Sequence, residues 1–216
     1  MRISKIQKYW LPVEFILLCA VLPTLIIYFR LAPYMFAFLW GSALYCAIIY
    51  QRHFFKGFKE LWRWEEVTWP HLKPLLIRFV FAAIGMTLFL WWYNPDRLFE
   101  FAKYNPIFIL VLFTLYPVLS ALPQEFIFCS FFFKRYERFF GTGKKMIIAS
   151  AIVFGYAHML FINPVAPTLS LIAGFIFAST YAKHKSLALI TIEHGLYGNY
   201  LFLVGLGWYF YGGAVM

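Results

Sequence analysis

Polar residues in this chain fall in short clusters, and the stretches between them are almost wholly apolar. A helix needs about 20 apolar residues to cross the hydrocarbon core of a bilayer. Seven stretches meet or approach that length: Tyr9–Phe29, Ala32–Tyr50, Pro74–Tyr93, Pro106–Phe133, Met146–Phe161, Thr168–Ala182 and Ser186–Tyr211. The fourth carries Pro117 and Pro123, which predict a kink or break near Pro123. The sixth follows Pro164 and Pro167, residues suited to a first helical turn. The seventh is rich in glycine, so its last part is expected to bend or to lie at the interface. Between the second and third stretches, residues 51–73 alternate charged groups with Phe54, Phe55, Phe58, Leu61 and Trp62. That spacing predicts an amphipathic helix on the membrane surface. No internal repeat or low-complexity tract interrupts the pattern. The reading is an all-α, polytopic transmembrane helix bundle of about seven spans, a single integral membrane domain over residues 1–216.

Composition agrees: 63% of residues are hydrophobic and 13% charged, far from the balance of a water-soluble domain. The net charge of +10 raises nucleic acid as a partner, but the placement of the basic residues argues against it. Fifteen of the 19 Lys and Arg residues fall at alternate ends of the predicted spans, from Arg2 to Lys185. Only Arg30, Arg97 and Lys103 fall in the opposite loops. This positive-inside bias puts the N-terminus in the cytoplasm and the C-terminus outside. The bilayer itself is then the partner of the basic face, and the expected location is the cytoplasmic (inner) membrane of a bacterium. Trp62, Trp64, Trp69, Trp91 and Trp92 fall where an interfacial aromatic belt would sit. Met1–Lys8 is basic, but the apolar stretch after it is long enough to span and lacks a small-residue cleavage site, so no cleavable signal peptide is expected. Cys19, Cys46 and Cys129 show no ligand spacing.

Six ionisable side chains lie inside the apolar stretches: Glu14, Arg78, Glu125, His158, Glu193 and His194. Such groups are costly in hydrocarbon and are kept for pairing or chemistry. Glu14 and Arg78 lie near the basic boundary and read as structural anchors that reach the headgroups or pair with each other. Glu125, His158 and His194 come from three different spans and fall at a similar depth, roughly 13–20 Å from the basic boundary at 1.5 Å per residue. A carboxylate and two imidazoles at one level can activate water; their alternative use is a hydrogen-bond network that holds helices together. Glu193 points about 100° away from His194 on a helix and is expected to pair with Arg78 or to line a water path.

The segments that carry these residues read Gln124-Glu125-Phe126-Ile127-Phe128-Cys129, Phe154-Gly155-Tyr156-Ala157-His158 and His194-Gly195-Leu196-Tyr197-Gly198-Asn199. In order and spacing they resemble the three motifs of the CPBP intramembrane proteases, also called the Abi or CAAX prenyl protease family, over about residues 106–207. The family's motifs are a Glu pair with Arg four residues on, Phe with His four residues on, and His with Asn four residues on. The resemblance implies cleavage of a membrane-embedded or lipid-anchored, CAAX-type peptide by activated water. Glu125 is then the general base, taking a proton from a water held between it and His158, and His158 orients that water or protonates the leaving amine. His194 with Asn199 or Tyr197 stabilises the oxyanion, while Gln124 and Phe154 position water and substrate. No cofactor is expected. Zinc on Glu125, His158 and His194 is the alternative, since two His and one Glu form a familiar zinc set.

Three positions depart from the family's pattern. Gln124 stands where the first Glu would, Cys129 stands for the Arg, and Asn199 lies one residue late, with Gly198 at the expected position. Glutamine cannot act as a base, so if Glu125 does not reach the site the chain is an inactive relative. A catalytically inactive scaffold that binds a partner's transmembrane segment is therefore the alternative function. A proton-coupled carrier is a third reading, against which stands the lack of an inverted repeat.

Overall fold

The computed structural model describes residues 5–211, and no strand occurs among them. Met1–Ser4, including Arg2 of the basic count, and Gly212–Met216 lie outside the described residues. Seven helical spans are long and apolar enough to cross a membrane: span 1 Trp10–Tyr28, span 2 Ala32–His53, span 3 Trp69–Tyr93, span 4 Pro106–Arg135, span 5 Lys144–Phe161, span 6 Val165–His184 and span 7 Leu187–Val204. The protein is a polytopic, integral membrane helix bundle. Span 7 is central, with 61% of its apolar window buried against 17% for spans 1, 2 and 4. Spans 5 and 6 approach closely at Gly155 and Gly174, where an added Cβ would lie 3.0 Å from Leu171 and from Ala151. The outward faces carry large apolar side chains such as Phe81, Leu88, Ile107 and Leu110, as lipid contact requires.

Span 4 does not break at Pro123. It runs on from Pro106 to Arg135, widened by π-helical turns at Pro117–Ala121 and Phe126–Phe131 that bracket Leu122–Glu125. The physical reason is visible at the missing donor. Pro123 has no N–H for the carbonyl of Leu119, and the indole N–H of Trp40 on span 2 donates to that carbonyl instead, at 3.1 Å. Gln124 and Glu125 therefore sit mid-helix and do not open a new helical stretch.

Span 7 ends earlier than its apolar run. Gly205 takes a left-handed φ of 110°, and the carbonyl of Arg97 packs where its Cβ would be. The chain then turns back as a 3-10 helix, Leu206–Phe210, whose Phe210 ring lies 5.9 Å from that of His158. The expected bend is present and closes over the site.

The segment between spans 2 and 3 is not one amphipathic helix. Phe58–Trp62 and Trp64–Glu66 are short turns separated by Arg63, which adopts φ 45°. Its guanidinium donates to Glu66 Oε1 at 2.6 Å and to the carbonyl of His184 at 2.7 Å, and the hydroxyl of Ser186 lies 3.0 Å from the carbonyls of both Trp62 and Arg63. These bonds fold the loop under spans 6 and 7. The hydrogen bond from His184, and after it the Arg63 charge, hold the Glu66 carboxyl below the usual carboxylate range against the opposing effect of burial. Trp64, Trp69, Trp91 and Trp92 are exposed near span ends, consistent with interfacial anchoring.

Candidate functional site

Spans 4 and 7 supply the centre of the site. Glu125, 1% exposed, accepts a hydrogen bond from His194 Nδ1 at 2.7 Å. That bond fixes the tautomer, so the lone pair of His194 is on Nε2, where the hydroxyl of Tyr116 donates at 2.9 Å. Carboxylate, imidazole and phenol thus form one chain of hydrogen bonds. The imidazole stacks on Phe177 of span 6, with ring centroids 4.6 Å apart and planes inclined by 18°, which holds the ring's orientation.

His158, at the end of span 5, donates from Nδ1 to the carbonyl of Phe154 at 2.8 Å, leaving Nε2 as an acceptor. Phe154 touches both imidazoles, with centroids 4.6 Å from His158 and 5.8 Å from His194. The two imidazoles make no ring contact with each other, and no hydrogen bond joins Glu125 to His158 among the described residues. The direct hydrogen-bond partner of the carboxylate is His194, because span 7 passes against span 4, while the Phe154 ring lies between the two imidazoles.

A cavity of about 730 Å³ opens beside these groups. Its walls are mainly apolar and aromatic, and Tyr116, Gln124, Phe154, His158, His194 and Tyr197 face it. Glu125 does not line it. Gln124 does, donating to Ser120 Oγ at 2.9 Å and leaving its buried Oε1 without a partner. The residue offset between Gln124 and Glu125 thus decides which side chain meets a ligand and which lies behind His194. Tyr197 packs on Phe79 and Phe177 with an unpartnered buried hydroxyl. Asn199 turns away: its amide donates to the carbonyl of Phe113 at 3.2 Å, and it does not line the cavity. The single-residue shift of Asn199 against the family's pattern moved it to another helix face.

Tyr116 is the site residue that sequence reasoning missed. A Cβ at position 198 would overlap its ring edge and hydroxyl, so the phenol occupies the space a side chain at 198 would fill. Four residues after His194, Gly198 leaves a gap, and span 4 fills it with a hydrogen-bonding group aimed at the same imidazole.

The remaining ionisable groups pair elsewhere. Glu14 and Arg78 do not meet each other. Glu14 takes two hydrogen bonds from Arg135, at 2.8 and 2.6 Å, and two weaker ones from Tyr45 and Tyr136, tying spans 1 and 2 to the end of span 4. Arg78 donates to Glu193 Oε1 at 2.6 Å and to Thr180 at 2.9 Å, tying span 3 to spans 6 and 7. Cys129 is buried.

Glu125, His158 and His194 do not gather their ligand atoms as a zinc site requires. Among the described residues only Glu66, His71 and His184 bring such atoms within 4.8 Å of one another. The cavity set does not fit the ion.

Residues 106–200, which carry all three motifs and Tyr116, match the family described as type II CAAX prenyl endopeptidase Rce1-like. Over this segment the chain is similar to that family. The likeness to the CPBP proteases read from the three motifs is borne out over this segment, which spans the whole of span 4 and most of span 7. No curated protein and no solved structure matches the chain.

Proposed function

We propose that this Rce1-like protein is an intramembrane endopeptidase that hydrolyses a peptide bond in a membrane-embedded or lipid-anchored substrate of CAAX type. The apolar cavity supports a substrate that brings its own hydrocarbon, since walls of this kind gain affinity by covering apolar surface. The observation that carries the reading is the chain Glu125–His194–Tyr116, which ends at the cavity wall.

In this mechanism Glu125 is a positioning residue that acts through His194. Glu125 holds Nδ1 as the donor and stabilises the charge that develops on the ring as the water's proton is taken, as a carboxylate does behind a catalytic imidazole. When a peptide enters, His194 Nε2 exchanges the Tyr116 hydroxyl for a water molecule. The water oxygen attacks the scissile carbonyl and its proton passes to Nε2. The freed Tyr116 hydroxyl donates to the oxyanion. His158 Nε2 accepts the water's other hydrogen and fixes its direction. Collapse of the tetrahedral intermediate breaks the C–N bond, and the proton on His194 passes to the leaving amine. Gln124 Oε1, buried and unpartnered, accepts a backbone N–H of the substrate.

The test uses purified protein in bilayers with prenylated and unprenylated membrane-anchored peptides. Cleavage that is lost in Glu125→Gln and His194→Ala and persists with chelator supports the proposal. Stable capture of the peptides without cleavage refutes it and leaves the second reading, an inactive scaffold. That reading draws on one specific observation: the residue that meets the cavity is Gln124, which cannot take a proton from water.

A further inference from the structure

Two histidines and a glutamate converge a second time, outside the cavity and at the basic end of the bundle. Glu66 closes the loop between spans 2 and 3, His71 lies in the first turn of span 3, and His184 is the last residue of span 6. The Glu66 carboxylate oxygen Oε2 lies 2.9 Å from His184 Nδ1 and 3.3 Å from His71 Nδ1. The two imidazole centroids are 4.4 Å apart with planes inclined by 56°. One ligand atom from each residue lies within 4.8 Å of those of the other two.

We propose that Glu66, His71 and His184 form a binding site for a zinc-class transition-metal ion that clips the loop onto the end of span 6. A tetrahedral zinc ion with bonds of about 2.0–2.2 Å holds its ligands roughly 3.3 Å apart. The two measured oxygen–nitrogen separations lie within a few tenths of an ångström of that value, so small side-chain rotations complete the set once His71 Nδ1 gives up its 2.9 Å hydrogen bond to the Glu66 carbonyl. Two imidazole nitrogens and one carboxylate oxygen favour zinc and its neighbours over magnesium or calcium, which prefer oxygen.

The carboxylate is held ready. Arg63 takes Glu66 Oε1 at 2.6 Å and leaves Oε2 facing the imidazoles. The same guanidinium grips the carbonyl of His184, so it positions two of the three ligands at once. Its charge is already matched by the carboxylate, which limits its repulsion of a dication; partners of this kind orient metal ligands from behind. His71 keeps 34% of its side-chain surface exposed and Glu66 17%, so an ion enters from the aqueous side without crossing the bilayer. Three protein ligands leave a fourth position for water. No step of the proposed peptide hydrolysis uses this site, so its test stands apart from that reading.

The experiment titrates metal-free, full-length protein in bilayer discs with Zn²⁺ alone and reads stoichiometry and Kd by calorimetry. The expected result is one Zn²⁺ per chain. His71→Ala combined with His184→Ala weakens binding more than about 100-fold, beyond the loss that removal of an outer partner brings. His53→Asn and His158→Ala leave it unchanged. A second measurement needs no variant: in the unaltered protein, Zn²⁺ protects His71 and His184, in preference to His53, from acylation of the imidazole by diethylpyrocarbonate. No Zn²⁺ uptake by the unaltered protein, uptake that survives the double substitution, or protection centred on His158 and His194 overturns the proposal.

Discussion

Replacing Gly198 by alanine adds one methyl group and places it inside the Tyr116 ring edge. The ring cannot step aside freely. It sits 5.6 Å from Phe202 and 5.8 Å from His194, and Phe202 in turn is pressed against Gly207. Overpacking of this sort costs about 1–3 kcal/mol. Alanine gains about 0.8–1 kcal/mol over glycine in a helix interior, which offsets part of that cost. The net stability change is therefore roughly 0–2 kcal/mol, a small shift in Tm. Activity is expected to change far more. Displacing the ring breaks the 2.9 Å bond to His194 and removes the hydroxyl from the cavity wall. Loss of one oxyanion donor lowers kcat by about 10²–10³-fold. The assay is steady-state cleavage of a membrane-anchored peptide by Gly198→Ala, Tyr116→Phe and the double variant Gly198→Ala/Tyr116→Ala. The two single variants lose kcat alike, while Tyr116→Phe keeps the shape and nearly all the stability. The double variant relieves the overlap but leaves a cavity where the ring packed, so it recovers neither Tm nor kcat. A Tyr116→Phe enzyme that cleaves within about twofold of the unaltered protein would refute the role given to the hydroxyl.

Four further outcomes are expected. Glu125→Gln keeps the volume behind His194 but removes the charge that stabilises the ring while it carries the water's proton, and lowers kcat about 10²–10⁴-fold, read in the same cleavage assay. Arg135→Ala leaves Glu14 charged and unpaired at 1% exposure, and costs about 3–5 kcal/mol in thermal or denaturant unfolding; Arg135→Met combined with Glu14→Gln recovers most of that loss. Trp40→Phe removes the indole donor to the Leu119 carbonyl beside Pro123 and destabilises by about 0.5–1.5 kcal/mol in the same unfolding measurement. Chelation lowers the Tm of zinc-loaded protein by releasing the loop at Glu66 and leaves kcat unchanged, because the proposed hydrolysis routes no step through that site; activity lost with the metal would contradict the separation of the two sites.

The seven spans were legible because a bilayer leaves one solution for a long apolar stretch, a helix that satisfies its own backbone. The pairing of Arg78 with Glu193 was half visible, since the 100° step between Glu193 and His194 forces them onto different neighbours. The partner of Glu14 was not visible. Arg135 lies at the end of a long span and counts, by sequence, as one more basic residue of the loop. Of the kink or break expected at Pro123, the break did not follow and the regular α-helix is interrupted by π-helical turns instead: proline predicts a lost hydrogen bond, but whether the helix breaks depends on what satisfies the freed carbonyl. Here the answer is an indole on another span.

The site shows the same division at finer scale. Motif spacing located Glu125, His158 and His194, but spacing along separate helices carries no information on which of two imidazoles a carboxylate meets. That was decided by contact between helices: Phe154 touches both rings, while span 7 brings His194 within 2.7 Å of Glu125. Tyr116 had no signal of its own, being one of 15 tyrosines in a chain with 23% aromatic residues. The signal lay at its complement. Gly198 leaves a hole one turn after a polar residue in a buried span, and a hole beside a buried imidazole must be filled from another helix by a group that can hydrogen-bond, or the imidazole is left unsatisfied. A tyrosine on the facing span meets both demands, which is why the loss of a side chain at 198 and the presence of a phenol at 116 are one structural fact seen from two helices.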